Sequence, residues 1–190
     1  MCRERAFRYD WFPGEALMTR VGLTTLLSVL PSLAAAAPPQ IGFDGLSPVR
    51  VGMTVAQAEQ ALHAKLSVEF PNDDGPTGCG IAGIEGRDNA AFSYMIEDGR
   101  VTRADLGGLG VRSAIRTANG IGLGSSIGEI RRAYGKSAKS HPNAYEETEP
   151  DFEIKSANGK AAIVFETEQG RVVRIHSGRL PSAEYIEGCD

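Results

Sequence analysis

The chain repeats itself, and that limits its fold more than any other feature. Gly52-Met53-Thr54-Val55-Ala56-Gln57-Ala58 matches Gly124-Ser125-Ser126-Ile127-Gly128-Glu129-Ile130 at an offset of 72. Further on, Ile96-Glu97-Asp98-Gly99-Arg100-Val101-Thr102-Arg103 matches Thr167-Glu168-Gln169-Gly170-Arg171-Val172-Val173-Arg174 at an offset of 71. Two blocks in the same order, with one residue lost between them, predict a tandem duplication. Repeat 1 is assigned to residues 41–110 and repeat 2 to residues 111–190.

Each copy reads as a short helix followed by strands. Thr54 with Gln57, and Ser126 with Glu129, fit the capping box that opens a helix. Behind the caps, Val55, Ala58 and Leu62 share one helical face, as do Ile127, Ile130 and Tyr134. Gly135 is placed to end the second helix. Phe92, Tyr94 and Ile96 alternate with Ser93, Met95 and Glu97, and Glu97-Asp98-Gly99 supplies turn chemistry before a return strand over 101–106. Ile163, Phe165 and Thr167, the turn at Glu168-Gln169-Gly170 and a strand over 172–175 repeat the pattern. Shorter strands are expected over 80–85 and 152–156, followed by turns at Arg87-Asp88-Asn89 and Asn158-Gly159-Lys160. Residues 71–77 and 139–150 read as polar loops, and the tail over 183–187 as an edge strand. The fold class is α+β: two tandem repeats, each a short helical segment packed on an antiparallel β-meander.

The first 36 residues differ from the rest. From Met18 a short basic n-region (Met-Thr-Arg) leads into the apolar run from Val21 to Leu33 and then four alanines at 34–37. This is the layout of a secretory signal peptide, with cleavage expected after Ala36. The apolar run is too short to span ~30 Å of hydrocarbon and has no stop-transfer charges behind it. Either the n-region is long or Met18 is the true start; the second reading is favoured. Removal of residues 1–36 leaves 16 basic and 21 acidic residues, a net charge of −5 with no block of one sign. Nucleic acid is therefore not an expected partner, nor is stable membrane insertion. The protein is expected in the periplasm or outside the cell. Cys79 and Cys189 remain after cleavage, and an even count in an oxidising compartment points to a disulfide between them.

The helix opened by Gly52-Met53-Thr54, the helix opened by Gly124-Ser125-Ser126 and the two hairpins resemble the β-lactamase-inhibitor-protein-like fold. That fold also includes the small outer-membrane-assembly lipoproteins of the SmpA/OmlA type. The resemblance covers most of residues 41–187. It implies a concave sheet that grips another protein, without naming the partner. The chain departs from the inhibitors in a cysteine pair that joins the two copies instead of lying within each. It departs from the lipoproteins in having two repeats and no lipidation cysteine at the end of the apolar run. The ending from Ser177-Gly178-Arg179 to Glu187-Gly188-Cys189 also resembles a group of uncharacterised secreted bacterial proteins.

Motifs of catalysis have simpler explanations. Gly124-Ser125-Ser126-Ile127-Gly128 fits G-x-S-x-G, with Asp151 and His176 following in triad order, but Ser126 stands where Thr54 caps the first helix. Gly78-Cys79-Gly80-Ile81-Ala82-Gly83 fits G-x-G-x-x-G, yet neither a strand before it nor a helix after it is expected. His63, His141 and His176 stand singly. Asn72-Asp73-Asp74-Gly75 lacks the remaining ligands of a calcium loop. Glu146, Glu147, Glu149, Asp151 and Glu153 read as a charged loop. No catalytic residue, metal or cofactor is assigned.

The expected function is noncatalytic recognition of an unidentified protein. The alternative is a small secreted hydrolase acting on an envelope polymer. In each hairpin one face must lie on the helices. The other face carries Met95, Arg103, Asp105, Glu166, Arg174 and His176, which are the candidate binding residues, centred on Arg103, Arg174 and His176.

Overall fold

A computed structural model describes residues 38–72, 75–87, 91–108, 110–145 and 148–189. The expected signal segment lies outside these residues, as do Asp73, Asp74, Asp88, Asn89, Glu146 and Glu147. The two caps form as the residue types dictate. Helix α1, Val55–Leu62, opens with Gln57 N–H donating to Thr54 Oγ1 at 3.3 Å and Thr54 N–H donating to Gln57 Oε1 at 2.9 Å. Helix α2, Ile127–Tyr134, repeats this with Ser126 and Glu129 at 3.3 and 2.7 Å. Gly135, at φ 55°, ends it. Eight-residue helices are not stable alone. Each is held by its apolar face: Ala58 and Ile130 are wholly buried, while Val55, Leu62, Ile127 and Tyr134 pack against the core.

That core lies on one antiparallel sheet. Its strands are β3 (Leu66–Glu69), β4 (Cys79–Ile84), β5 (Phe92–Glu97), β6 (Arg100–Gly107), β7 (Lys139–Pro142), β8 (Pro150–Lys155), β9 (Ala161–Glu168) and β10 (Arg171–Arg179). They run in the order β3-β4-β5-β6-β10-β9-β8-β7. A small hairpin, β1 (Ile41–Gly42) with β2 (Gly45–Leu46), forms a second sheet. The two long hairpins turn on Asp98-Gly99 and Gln169-Gly170, whose φ angles are 51°, 69°, 50° and 73°. Two central residues with positive φ make the turn whose twist matches that of paired strands.

Pairing fixes which side chains share a face. Phe92, Leu106, Ile175, Phe165 and Phe152 are paired in succession across five strands, and Tyr94, Ala104, Ser177 and Ile163 form a neighbouring row. These rows include Tyr94, Phe152 and Phe165, the three bulkiest fully buried side chains among the described residues. Tyr134 reaches from α2 to Phe165, ring centroids 5.7 Å apart, and its hydroxyl donates to Thr117 Oγ1 at 3.0 Å. At the central β6–β10 joint the backbones come too close for a side chain at two points. A Cβ on Gly178 would lie 2.2 Å from the Thr102 carbonyl, and one on Gly107 would lie 2.4 Å from that of Val173.

Three expectations need correction. Residues 139–150 are not one loop, because Lys139–Pro142 pairs with β8 as an exposed edge strand. Strand β3, directly after α1, is not among the expected strands, although Leu66 and Val68 alternate with Ser67 and Glu69. The tail adds no edge strand: Ser182–Glu184 is a 3-10 turn packed against β6, β9 and β10. The chain then runs to Cys189, which is bonded to Cys79 across a separation of 110 residues. A closed loop of that length stabilises on the order of 4 kcal/mol in the chain-entropy account. Among the described residues no helix is long and apolar enough to cross a membrane.

Candidate functional site

The sheet face turned away from the rows that carry the core is charged. Ser93, Asp105, His176, Val164 and Glu153 pair in succession across β5, β6, β10, β9 and β8. Met95 pairs with Arg103, and Glu166 with Arg174. The six candidate binding residues therefore do share one face. Five of them form a chain of alternating charge. Arg103 Nε lies 2.7 Å from Asp105 Oδ1, at an angle too bent for a hydrogen bond. His176 Nδ1 meets the same Asp105 oxygen at 2.5 Å, and His176 Nε2 meets Glu166 Oε1 at 2.5 Å. Arg174 Nε stands 3.8 Å from Glu166 Oε2.

Two carboxylates, one at each ring nitrogen, favour the imidazolium form of His176, which donates to both. A neutral ring would turn a lone pair toward one of the carboxylates. Burial opposes the charge on His176, and Arg103 adds to that opposition. The attraction of Asp105, with hydrogen bonds to Asp105 and Glu166, prevails and raises its pKa. The reciprocal effect outweighs burial at both carboxylates and lowers their pKa values.

This face is not an open sheet. Met95, Arg103 and His176 are buried, and only Arg174 of the six reaches well into solvent, its side chain 39 % exposed. Of the three residues expected at the centre of a binding surface, Arg103 and His176 are covered and Arg174 is partly exposed. The cover is the C-terminal segment. Arg103 Nη1 donates to the carbonyls of Ser182 (3.1 Å) and Tyr185, which pins that segment over the charged row.

Beside the segment lies a cleft of about 290 Å³. Asp151, Glu153, Val164, Glu166 and His176 line its sheet side. Asn143, Ala144 and Tyr145 contribute from the β7–β8 connection, and residues 183–186 from the tail. The large apolar side chains exposed among the described residues are Tyr145 at 63 %, Tyr185 at 40 % and Ile186 at 48 %, and all three line this cleft. Asp151 accepts from Asn143 Nδ2 and Thr167 N–H, both at 2.9 Å. Its burial outweighs these bonds and raises its pKa. Burial and a neighbouring Glu184 carboxyl also raise Glu153, and Lys155 Nζ bridges the two at 3.1 and 2.9 Å.

The catalytic motifs do not assemble. Ser126 Oγ is engaged with Glu129, Asp151 with Asn143 and Thr167, and His176 with Asp105 and Glu166. The glycines of Gly78-Cys79-Gly80-Ile81-Ala82-Gly83 run into strand β4, where a Cβ on Gly80 would meet the Phe70 ring at 2.8 Å. Among the described residues no group of three or more His, Cys, Asp or Glu side chains is placed to hold a metal ion. The sequence reading missed Tyr145, Tyr185 and Ile186. The adjacent pair Tyr185-Ile186 in an otherwise charged tail was the available signal. No family model, curated protein or solved structure matches the chain.

Proposed function

We propose that this protein is an exported, noncatalytic binding module that holds a segment of another protein in the cleft between its tail and the β7–β8 connection. The gathering of Tyr145, Tyr185 and Ile186 at one cleft carries this reading. Exposed tyrosines beside a concave, partly apolar floor are what contact hot spots are made of. The acidic side chains around the floor favour a partner segment that carries a basic residue. The Cys79–Cys189 disulfide supports export to the periplasm or beyond.

The reading includes a tandem duplication of the kind that resembles the inhibitor-like fold. Its support is a set of matched contacts. Arg100 and Arg171 donate to the carbonyls of Gly52 and Gly124, both at 2.9 Å. Thr54 bridges to Arg100 as Ser126 bridges to Arg171. The hairpin registers skip once each, at Thr102 and at Val173, which are 71 residues apart. At the β6–β10 joint Arg103 faces Gly178 and Arg174 faces Gly107, while Asp105 faces His176, its own counterpart at the same offset. Two copies related by a local two-fold axis through that last pair would pair in this register.

Affinity capture from the native secreted fraction tests the binding reading, with Tyr145→Ala and Tyr185→Ala as comparisons. Each substitution should weaken capture of the same partner by more than about 2 kcal/mol in a follow-up titration, the hot-spot range. Undiminished binding by both variants would remove the cleft from the account. The rival, a small hydrolase of an envelope polymer, draws on Asp151 and Glu153, two carboxyls raised by burial in one cleft. Polymer turnover abolished by Asp151→Asn in a variant that still folds would favour the rival.

A further inference from the structure

We propose that residues 185–189 form a redox-released wall of the cleft, held in place by the Cys79–Cys189 bond rather than by their own packing. Access to the site proposed above would then be under thiol control. The proposal rests on that binding reading for its consequence, but not for its structural content.

The tail divides into two parts by what it buries. Ser182 and Ala183 are buried, and Ser182 Oγ donates to Glu97 Oε2 at 2.5 Å, so the chain is anchored there. Beyond them, residues 184–187 are exposed, and the two large apolar side chains, Tyr185 and Ile186, stay 40 % and 48 % exposed. The chain is buried again only at Gly188 and Cys189. The noncovalent ties of this second part are few. Arg103 donates to the Tyr185 carbonyl, Asn72 Nδ2 to the Cys189 carbonyl, and Tyr145 hydroxyl bonds Glu187. Gly188 lies against Ile81 and Arg103. Ordering a residue costs backbone entropy that a hydrogen bond returns only in part, and Tyr185 and Ile186 cover only a little over half of their surface. The disulfide removes that cost by keeping the end of the tail beside β4.

Reduction by a dithiol transfers two electrons and two protons. One thiolate of the reductant attacks a cystine sulfur, the S–S bond breaks and a mixed disulfide forms. The reductant's second thiol then displaces the protein sulfur. The products are Cys79 and Cys189 thiols and the cyclised reductant disulfide. Residues 185–189 are then free to leave. The cleft loses the wall that Tyr185 and Ile186 provide, and Arg103 loses one of its two carbonyl acceptors.

Backbone ¹⁵N relaxation on the folded chain, before and after treatment with a small dithiol, tests this without any partner. Mass analysis confirms the gain of two hydrogens. Order parameters of residues 186–189 should fall from the rigid value of roughly 0.85 to below about 0.6, while those of β5, β9 and β10 stay rigid. The double variant Cys79→Ser with Cys189→Ser should match the reduced protein. Two results would overturn the proposal: a tail that stays rigid in fully reduced protein, or a whole sheet that loosens with the tail. Because no partner is present, either result leaves the binding reading standing, and failure to find a partner leaves the wall standing.

Discussion

His176 sits between two carboxylates, with Arg103 and Arg174 beyond them, and its charge ties stability to pH. Its pKa is raised in the folded chain, so its contribution is complete below the unfolded value near 6.5 and is lost as pH rises through the folded value. Asp105 and Glu166 are lowered, so theirs is complete above the unfolded carboxylate range and is lost as pH falls through the folded values. Stability should therefore form a plateau between the two limits, with an alkaline decline that begins above about pH 6.5. Urea midpoints across pH check this, and His176→Ala should abolish the alkaline decline. The same substitution should cost about 3–5 kcal/mol near neutrality, because it leaves two buried carboxylates without their shared cation. An alkaline decline unchanged in His176→Ala would mean that the ring is not the charged centre described here. The sequence marked Arg103, Asp105, Glu166, Arg174 and His176 as one face, because alternation along a strand is a local rule. It did not mark Arg103 and His176 as buried. What covers them is a tail distant in sequence from most of them, and no periodicity reports such a contact.

The helices and hairpins show where local chemistry suffices. A cap and a two-residue turn are satisfied by atoms within four residues of each other, so Thr54, Ser126, Asp98-Gly99 and Gln169-Gly170 were legible before any fold was known. Ser126→Ala should lower stability by about 1 kcal/mol, and Thr54→Ala by a similar amount, measured by urea denaturation. The loss should accompany no change in any activity of the protein. A stability cost at one position and none at the other would argue against equivalent roles. The edge strand β7 was illegible for a physical reason. Every residue of β7 is exposed, so no buried face imprints alternation on Lys139-Ser140-His141-Pro142. Its pairing with β8 is a backbone property that residue types record weakly. Pro142 and Lys139 suit an outer strand, where they discourage further pairing.

At the scale of the whole molecule, the central sheet, the disulfide and the cleft belong to one arrangement. The matched registers on either side of the β6–β10 joint give eight continuous strands, with the core-bearing rows on one face and the alternating charges on the other. The tail then closes part of the charged face and, with Tyr145, leaves its apolar side chains around a cleft. The two cysteines beyond the expected cleavage point sufficed to predict the bond. The cleft was beyond the sequence, because it is assembled from β8, β9, β10, a loop and the tail. The central claim is that this cleft meets a protein partner, and site-specific photocrosslinking in the native host tests it most directly. A photoreactive residue in place of Ile186 or Tyr145 should give a discrete adduct with one partner protein, and one in place of the exposed Arg132 of α2 should give none. An adduct from position 132 with none from 145 or 186 would place recognition on the helical face and contradict the account.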